Sequence, residues 1–77
     1  MSKTTTEEQR FVHYISDKRK ELRLTQQQLA DKLGWTLRRL TSYERYERIP
    51  SVKDALLIAE ALNTTVEDLW VIKKVTE

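Results

Sequence analysis

An all-α fold of five short helices follows from three features of this 77-residue chain. It contains one glycine and one proline, so breaks are few. Its apolar residues recur three and four positions apart almost throughout, and a threonine or serine stands before successive apolar runs where a helix cap belongs. A chain this short buries only about 60% of its unfolded surface and supports one core. Residues 6–77 are therefore expected to form a single compact domain behind a flexible arm over residues 1–5.

The first helix is expected to open with Thr6 as N-cap and Gln9 as its capping-box partner, and to run to about Arg23 with Phe11, Ile15 and Leu22 on one face. Thr25 and Gln28 repeat the capping signature, and Leu29, Ala30 and Leu33 supply the buried stripe of helix 2. Gly34 ends that helix, because glycine alone enters the left-handed conformation cheaply. Thr36 then caps helix 3, running to about Arg45. Pro50 blocks continuation and Ser51 caps helix 4, whose stripe is read as Val52, Ala55, Leu56, Ala59 and Leu62, with Asn63 closing it. Thr65 with Asp68 opens helix 5, carrying Val66, Leu69, Trp70 and Ile72.

Charge is unevenly placed. The net charge is only +2, but residues 1–34 hold seven basic and five acidic groups, residues 35–50 four and two, and residues 51–77 three and five. Any affinity for a polyanion thus comes from the first two thirds of the chain. The absence of cysteine excludes disulfides and thiolate metal sites, and no apolar run reaches the roughly 18 residues of a membrane span. A soluble protein of the reducing cytoplasm is expected.

Helix 3 carries the functional signal. At 100° per residue, Leu40 and Tyr43 point one way. Arg38, Thr41, Ser42 and Arg45 point the other way within roughly a 100° arc, flanked by Leu37 and Arg39. A helix fits the major groove of B-DNA, where arginine bridges the two acceptors of guanine and an apolar side chain meets a thymine methyl. Arg38 suits a base contact, Thr41 and Ser42 secondary reading, and Leu37 a thymine methyl. Arg39 and Arg45 suit phosphates. Taken alone, an arginine-rich outer face is more often merely solvated.

The order Leu24-Thr25-Gln26, Leu29-Ala30, Leu33-Gly34, Thr36, Leu40, Glu44, Pro50-Ser51 and Ile58-Ala59-Glu60-Ala61-Leu62 resembles the Xre and lambda-repressor-like (Cro/C1-type) helix-turn-helix regulators over about residues 15–70. The resemblance implies a compact five-helix DNA-binding domain, with helices 2 and 3 as the helix-turn-helix and residues 36–45 as the recognition helix in the major groove. It implies that Thr25 and Gln26 lie at the phosphate-facing start of helix 2, that Leu37, Arg38, Thr41 and Ser42 face bases, and that Arg19 pairs with Glu44. Where the family usually has an Asn-Gly turn, this chain has Arg45-Tyr46-Glu47-Arg48. The path of that turn stays open: helix 3 could extend, and Arg45, Tyr46 and Arg48 could reach phosphates with their side chains.

Relatives usually bind inverted repeats as two-fold dimers. Val71, Ile72 and Val75, which continue an apolar pattern past the matched region, are the expected interface together with Leu57, read as lying off the helix 4 stripe. Capping of the monomer core is the competing role for these residues. Trp35, Trp70, Phe11 and Tyr14 sit at helical apolar positions and read as core or core edge. An enzyme is not expected: His13, the only histidine, reads as a helix-surface residue, and Glu7-Glu8 and Glu67-Asp68 diverge around their helices. No cofactor or small-molecule ligand is expected. The rival reading is a protein-binding module on the same fold, an antitoxin or co-regulator, since fold alone does not settle function.

Overall fold

The structure, a computed structural model, describes residues 8–75. Its elements are a strand β1 (Glu8–His13), helices α1 (Ile15–Glu21), α2 (Gln26–Leu33), α3 (Leu37–Glu44), α4 (Val52–Ala61) and α5 (Val66–Leu69), and a strand β2 (Trp70–Val75). The arm over residues 1–5 and the Thr6 cap lie outside the described residues.

The helices begin and end where local chemistry directs. Thr25 caps α2 with both arms of the capping box, its hydroxyl accepting the Gln28 amide at 3.0 Å and the Gln28 side chain accepting the Thr25 amide at 2.8 Å. Gly34 follows in the left-handed region at φ 73°. Thr36, Ser51 and Thr65 cap α3, α4 and α5 by accepting the amides of Arg39, Asp54 and Asp68. Such caps satisfy helix-end amides that otherwise lack partners. Past α4, Asn63 is left-handed at φ 56°, and the Thr64 amide bonds the Ala59 carbonyl, closing the helix as expected.

The core takes one large, fully buried side chain from each helix: Ile15, Leu29, Leu40, Ile58 and Leu69, with Leu62 just beyond α4. Full burial of a side chain of this size is worth about 1.5–3 kcal/mol. The α4 stripe differs from its expected composition. Val52 and Leu56 are 78% and 56% exposed, and the buried face is Asp54, Ala55, Ile58, Ala59 and Ala61.

The ends of the domain are the larger departure. The first helix starts at Ile15 rather than after Thr6, and α5 stops at Leu69, because the flanking segments pair with each other as an antiparallel ribbon. Its register sets Glu8 opposite Val75, Phe11 opposite Ile72 and His13 opposite Trp70. Phe11-Val12 and Trp70-Val71-Ile72 are aromatic and β-branched, types that suit a half-buried pleated surface. Opposed residues share a face, which puts Phe11, Ile72, His13 and Trp70 on one side and Val12 with Val71 on the other. The Tyr14 amide bonds the Leu69 carbonyl at 2.9 Å, pinning the ribbon where α1 begins and α5 ends.

Candidate nucleic-acid interface

A tight turn joins α2 to α3. After Gly34 the Trp35 amide returns to the Ala30 carbonyl at 2.9 Å. Leu40 is fully buried and Tyr43 nearly so, so α3 packs by one face and presents the other.

Two polar clusters fix its orientation. In the first, Glu44 receives Arg19 Nε at 3.1 Å, Arg19 Nη2 at 3.4 Å and Gln26 Nε2 at 3.1 Å. Arg19 also donates to the Leu24 carbonyl and the Ser16 hydroxyl. This buried guanidinium ties α1, the start of α2 and the end of α3 together, and charge-assisted bonds of this kind are the strong ones. In the second, Arg39 Nη2 lies 2.9 Å from both carboxylate oxygens of Asp54, the Tyr43 hydroxyl donates to Asp54 Oδ2 at 2.6 Å, and the Arg39 guanidinium lies 4.3 Å from the centroid of the Trp35 ring. The bonds from Tyr43 and then Arg39 hold the Asp54 carboxyl below its ordinary pKa. Burial, followed by the bond to Asp54, raises that of Tyr43. The Asp54 bond likewise raises that of Arg39.

The helix-turn-helix family matches residues 15–69, the span from the start of α1 to the end of α5. This chain is a helix-turn-helix protein. It is 33% identical over 55 residues to the cryptic phage CTXphi transcriptional repressor RstR of Vibrio cholerae serotype O1, a match covering 71% of this chain and 49% of that relative. The chain thus spans about half the length of the curated relative it matches. Both strands of the ribbon fall outside the family match.

Within this helix-turn-helix unit, the expected site residues separate into two groups. Leu37, Arg38 and Arg45 are exposed and Thr41 is half-buried, its hydroxyl bonded to the Arg38 carbonyl at 3.1 Å. These four occupy one continuous arc of α3 and the residue after it. Ser42, expected beside them, is turned in: it is 7% exposed and donates to the Arg39 carbonyl at 2.8 Å. The cause is the turn after α3, whose Glu47 and Arg48 amides both bond the Ser42 carbonyl, at 2.9 and 3.2 Å, and so fold over that flank. Arg39, expected at phosphate, is committed to Asp54 and Trp35. Gln26, expected at the same surface, is half-buried and donates to Glu44. Thr25 is exposed at the start of α2, and exposed Arg48 lies 5.7 Å above the Tyr43 ring.

The turn that lacks the family's Asn-Gly follows a definite path. Helix α3 ends at Glu44, and Tyr46 takes the left-handed conformation at φ 65°, which costs an ordinary residue roughly 1–2 kcal/mol. His13 compensates. Its ring stacks on that of Tyr46 at 4.2 Å and 19°, and its backbone N–H donates to the Tyr46 hydroxyl at 3.1 Å. His13 Nε2 lies 3.0 Å from the Tyr43 carbonyl, which can only accept, so Nε2 carries the proton. Nδ1 then accepts the Ile15 amide at 3.4 Å. His13 is therefore a bridge from β1 to the end of α3 and not a helix-surface residue. No local signal in the sequence reveals it, since the partners lie 30 and 33 positions away.

The expected interface residues also separate. Ile72 is 60% exposed on the Phe11 side of the ribbon. Val71 is half-buried on the opposite side, and Leu57 is half-buried on α4. Val75 pairs with Glu8 in the ribbon, but its side chain lies outside the described residues. Among the described residues no helix is long and apolar enough to cross a membrane.

Proposed function

We propose that this chain is a sequence-specific regulator of transcription that binds double-stranded DNA in the cytoplasm and acts as a repressor. Helix α3 enters the major groove. Arg38 bridges guanine, Leu37 meets a thymine methyl and Thr41 reads alongside them. Arg45, Arg48 and the Thr25 end of α2 hold phosphates and set the register. Two copies bind an inverted repeat with half-sites about one helical turn apart.

The observation that carries this reading is the division of labour on α3. Arg39, Ser42, Tyr43 and Glu44 are engaged by the protein itself, while Leu37, Arg38, Thr41 and Arg45 form the outward arc. A face with an arginine, a hydroxyl and an apolar group on a helix fixed from behind meets the geometric needs of groove reading. The kinship with a phage transcriptional repressor favours the repressor role.

Selection of bound sequences from a random duplex pool tests the proposal, followed by binding to the best site and an unrelated duplex at two salt concentrations. An enriched inverted repeat, bound at least about 1,000-fold more tightly than the unrelated duplex, is the expected outcome. No enrichment, with both duplexes lost together as salt rises, would sink it and favour a protein-binding module.

A further inference from the structure

Phe11, Ile49, Val52, Leu56 and Ile72 are 37%, 72%, 78%, 56% and 60% exposed. They come from β1, the end of the turn after α3, α4 and β2, yet they lie together. All but Ile72 line one open groove of about 450 Å³ beside α4, and Ile72 is the cross-strand partner of Phe11 on the same ribbon face. Single exposed apolar residues are ordinary, whereas a contiguous group of this kind marks a surface that is covered in use. Among the described residues, Glu67 is the one charged residue lining that groove.

We infer that this face is covered by a second copy of the chain, with the two α4 helices crossing antiparallel so that Lys53 of each meets Glu60 of the other. The inference rests on the dimeric reading above and gives it a surface, centred on Leu56 rather than on Leu57, Val71 and Val75.

Two features of α4 make the face complementary to itself. Val52, Leu56 and Glu60 follow one another at intervals of four, forming a ridge. A second groove of about 880 Å³ adjoins the first, and Val52, Leu56, Val66 and Glu67 line both. The apolar ridge therefore borders these depressions, and a copy turned by a two-fold axis sets its own ridge into them. Charge agrees with shape. Lys53 and Glu60 are exposed on the same side of α4, seven residues and about 10 Å apart along the axis, too far to pair with each other. An antiparallel two-fold crossing brings each onto the opposite charge of the other copy, twice. Ile49 directly follows Arg48, so the face begins where the proposed phosphate-binding turn ends, and the pairing fixes the spacing of the two recognition helices.

Sedimentation equilibrium on the full chain across the micromolar range tests the inference, with circular dichroism to verify that each variant is folded. The parent is expected to be a dimer. Leu56→Asp, at an exposed position, is expected to raise the dissociation constant by about 100-fold with helix content retained. Lys53→Glu and Glu60→Lys are each expected to raise it about tenfold, and the double variant to return close to the parent, since both contacts are then restored with reversed sense. A dimer indifferent to Leu56→Asp, or charge variants whose combination fails to recover, overturns this surface and leaves the dimeric reading standing. A parent that stays monomeric throughout overturns both, and the duplex selection above independently decides whether DNA is read at all.

Discussion

The hydroxyl of Tyr46 accepts the backbone N–H of His13 at 3.1 Å while their rings stack at 4.2 Å. This contact holds the ribbon against the turn that leaves the recognition helix, and it sustains a left-handed residue where glycine would be cheaper. Tyr46→Phe removes only the hydroxyl and is expected to cost about 0.5–1 kcal/mol in urea unfolding. Tyr46→Ala also loses the ring while keeping the backbone strain, and is expected to cost about 2 kcal/mol. If both unfold with the parent, the contact holds nothing.

Glu44 is the hub of a buried charge cluster, with Arg19 and Gln26 both donating to it. Glu44→Ala leaves the Arg19 guanidinium buried without its counter-charge, and is expected to cost about 3–5 kcal/mol, much of the stability of a domain this size. Gln26→Ala, which removes one neutral donor, is expected to cost about 1 kcal/mol. A double-mutant cycle with Arg19→Met should give a total well below the sum of the single losses, because the second change removes the stranded charge. Additive losses would mean that the pair does not act as a unit.

The Asp54 cluster sets the direction of the acid response. Its carboxyl is held below the ordinary value by the Tyr43 hydroxyl and then Arg39, so the folded state binds its proton less readily than the unfolded chain. The resulting stability is fully present above about pH 4, the ordinary carboxylate value, and is lost as pH falls through the depressed folded value. Tyr43 works in the opposite sense. Its raised value gives stability that is present below about pH 10 and lost as pH rises through the folded value. Urea unfolding of the parent and Asp54→Asn is expected to differ at pH 7 and to converge toward pH 3; a constant gap across that range would contradict the assignment.

The helix-turn-helix was legible because each boundary is written within a few residues. Thr25 with Gln28, Gly34, Thr36, Ser51 and Thr65 act on their own neighbours, and the structure uses each where the sequence places it. The ribbon was not legible. Phe11-Val12 and Val71-Ile72 also fit a helical spacing, and what decides for strand is pairing between segments nearly sixty residues apart. The outward arc of α3 was legible from its period, but the inward turn of Ser42 and the capture of Arg39 depend on the Glu47 and Arg48 amides and on Asp54, which periodicity does not contain. His13 was missed for the same reason.

Three arginines of α3 and its end give the sharpest separation of roles. Arg38 is exposed on the outward arc, Arg45 is exposed just past the last turn, and Arg39 is held by Asp54 and Trp35. Arg38→Ala is expected to cost about 1–3 kcal/mol at the best site and to relax preference at one base pair. Arg45→Ala should weaken all duplexes alike and reduce the slope of log affinity against log salt by about 1, the signature of a lost phosphate contact. Arg39→Ala should leave that slope unchanged, because its guanidinium is paired with Asp54 and packed over Trp35, and should instead lower the unfolding midpoint by depriving buried Asp54 of its cationic partner. Titrating the three variants against the selected and unrelated duplexes at several salt concentrations distinguishes them. A slope change in Arg39→Ala equal to that in Arg45→Ala would show that Arg39 leaves Asp54 for phosphate when DNA binds.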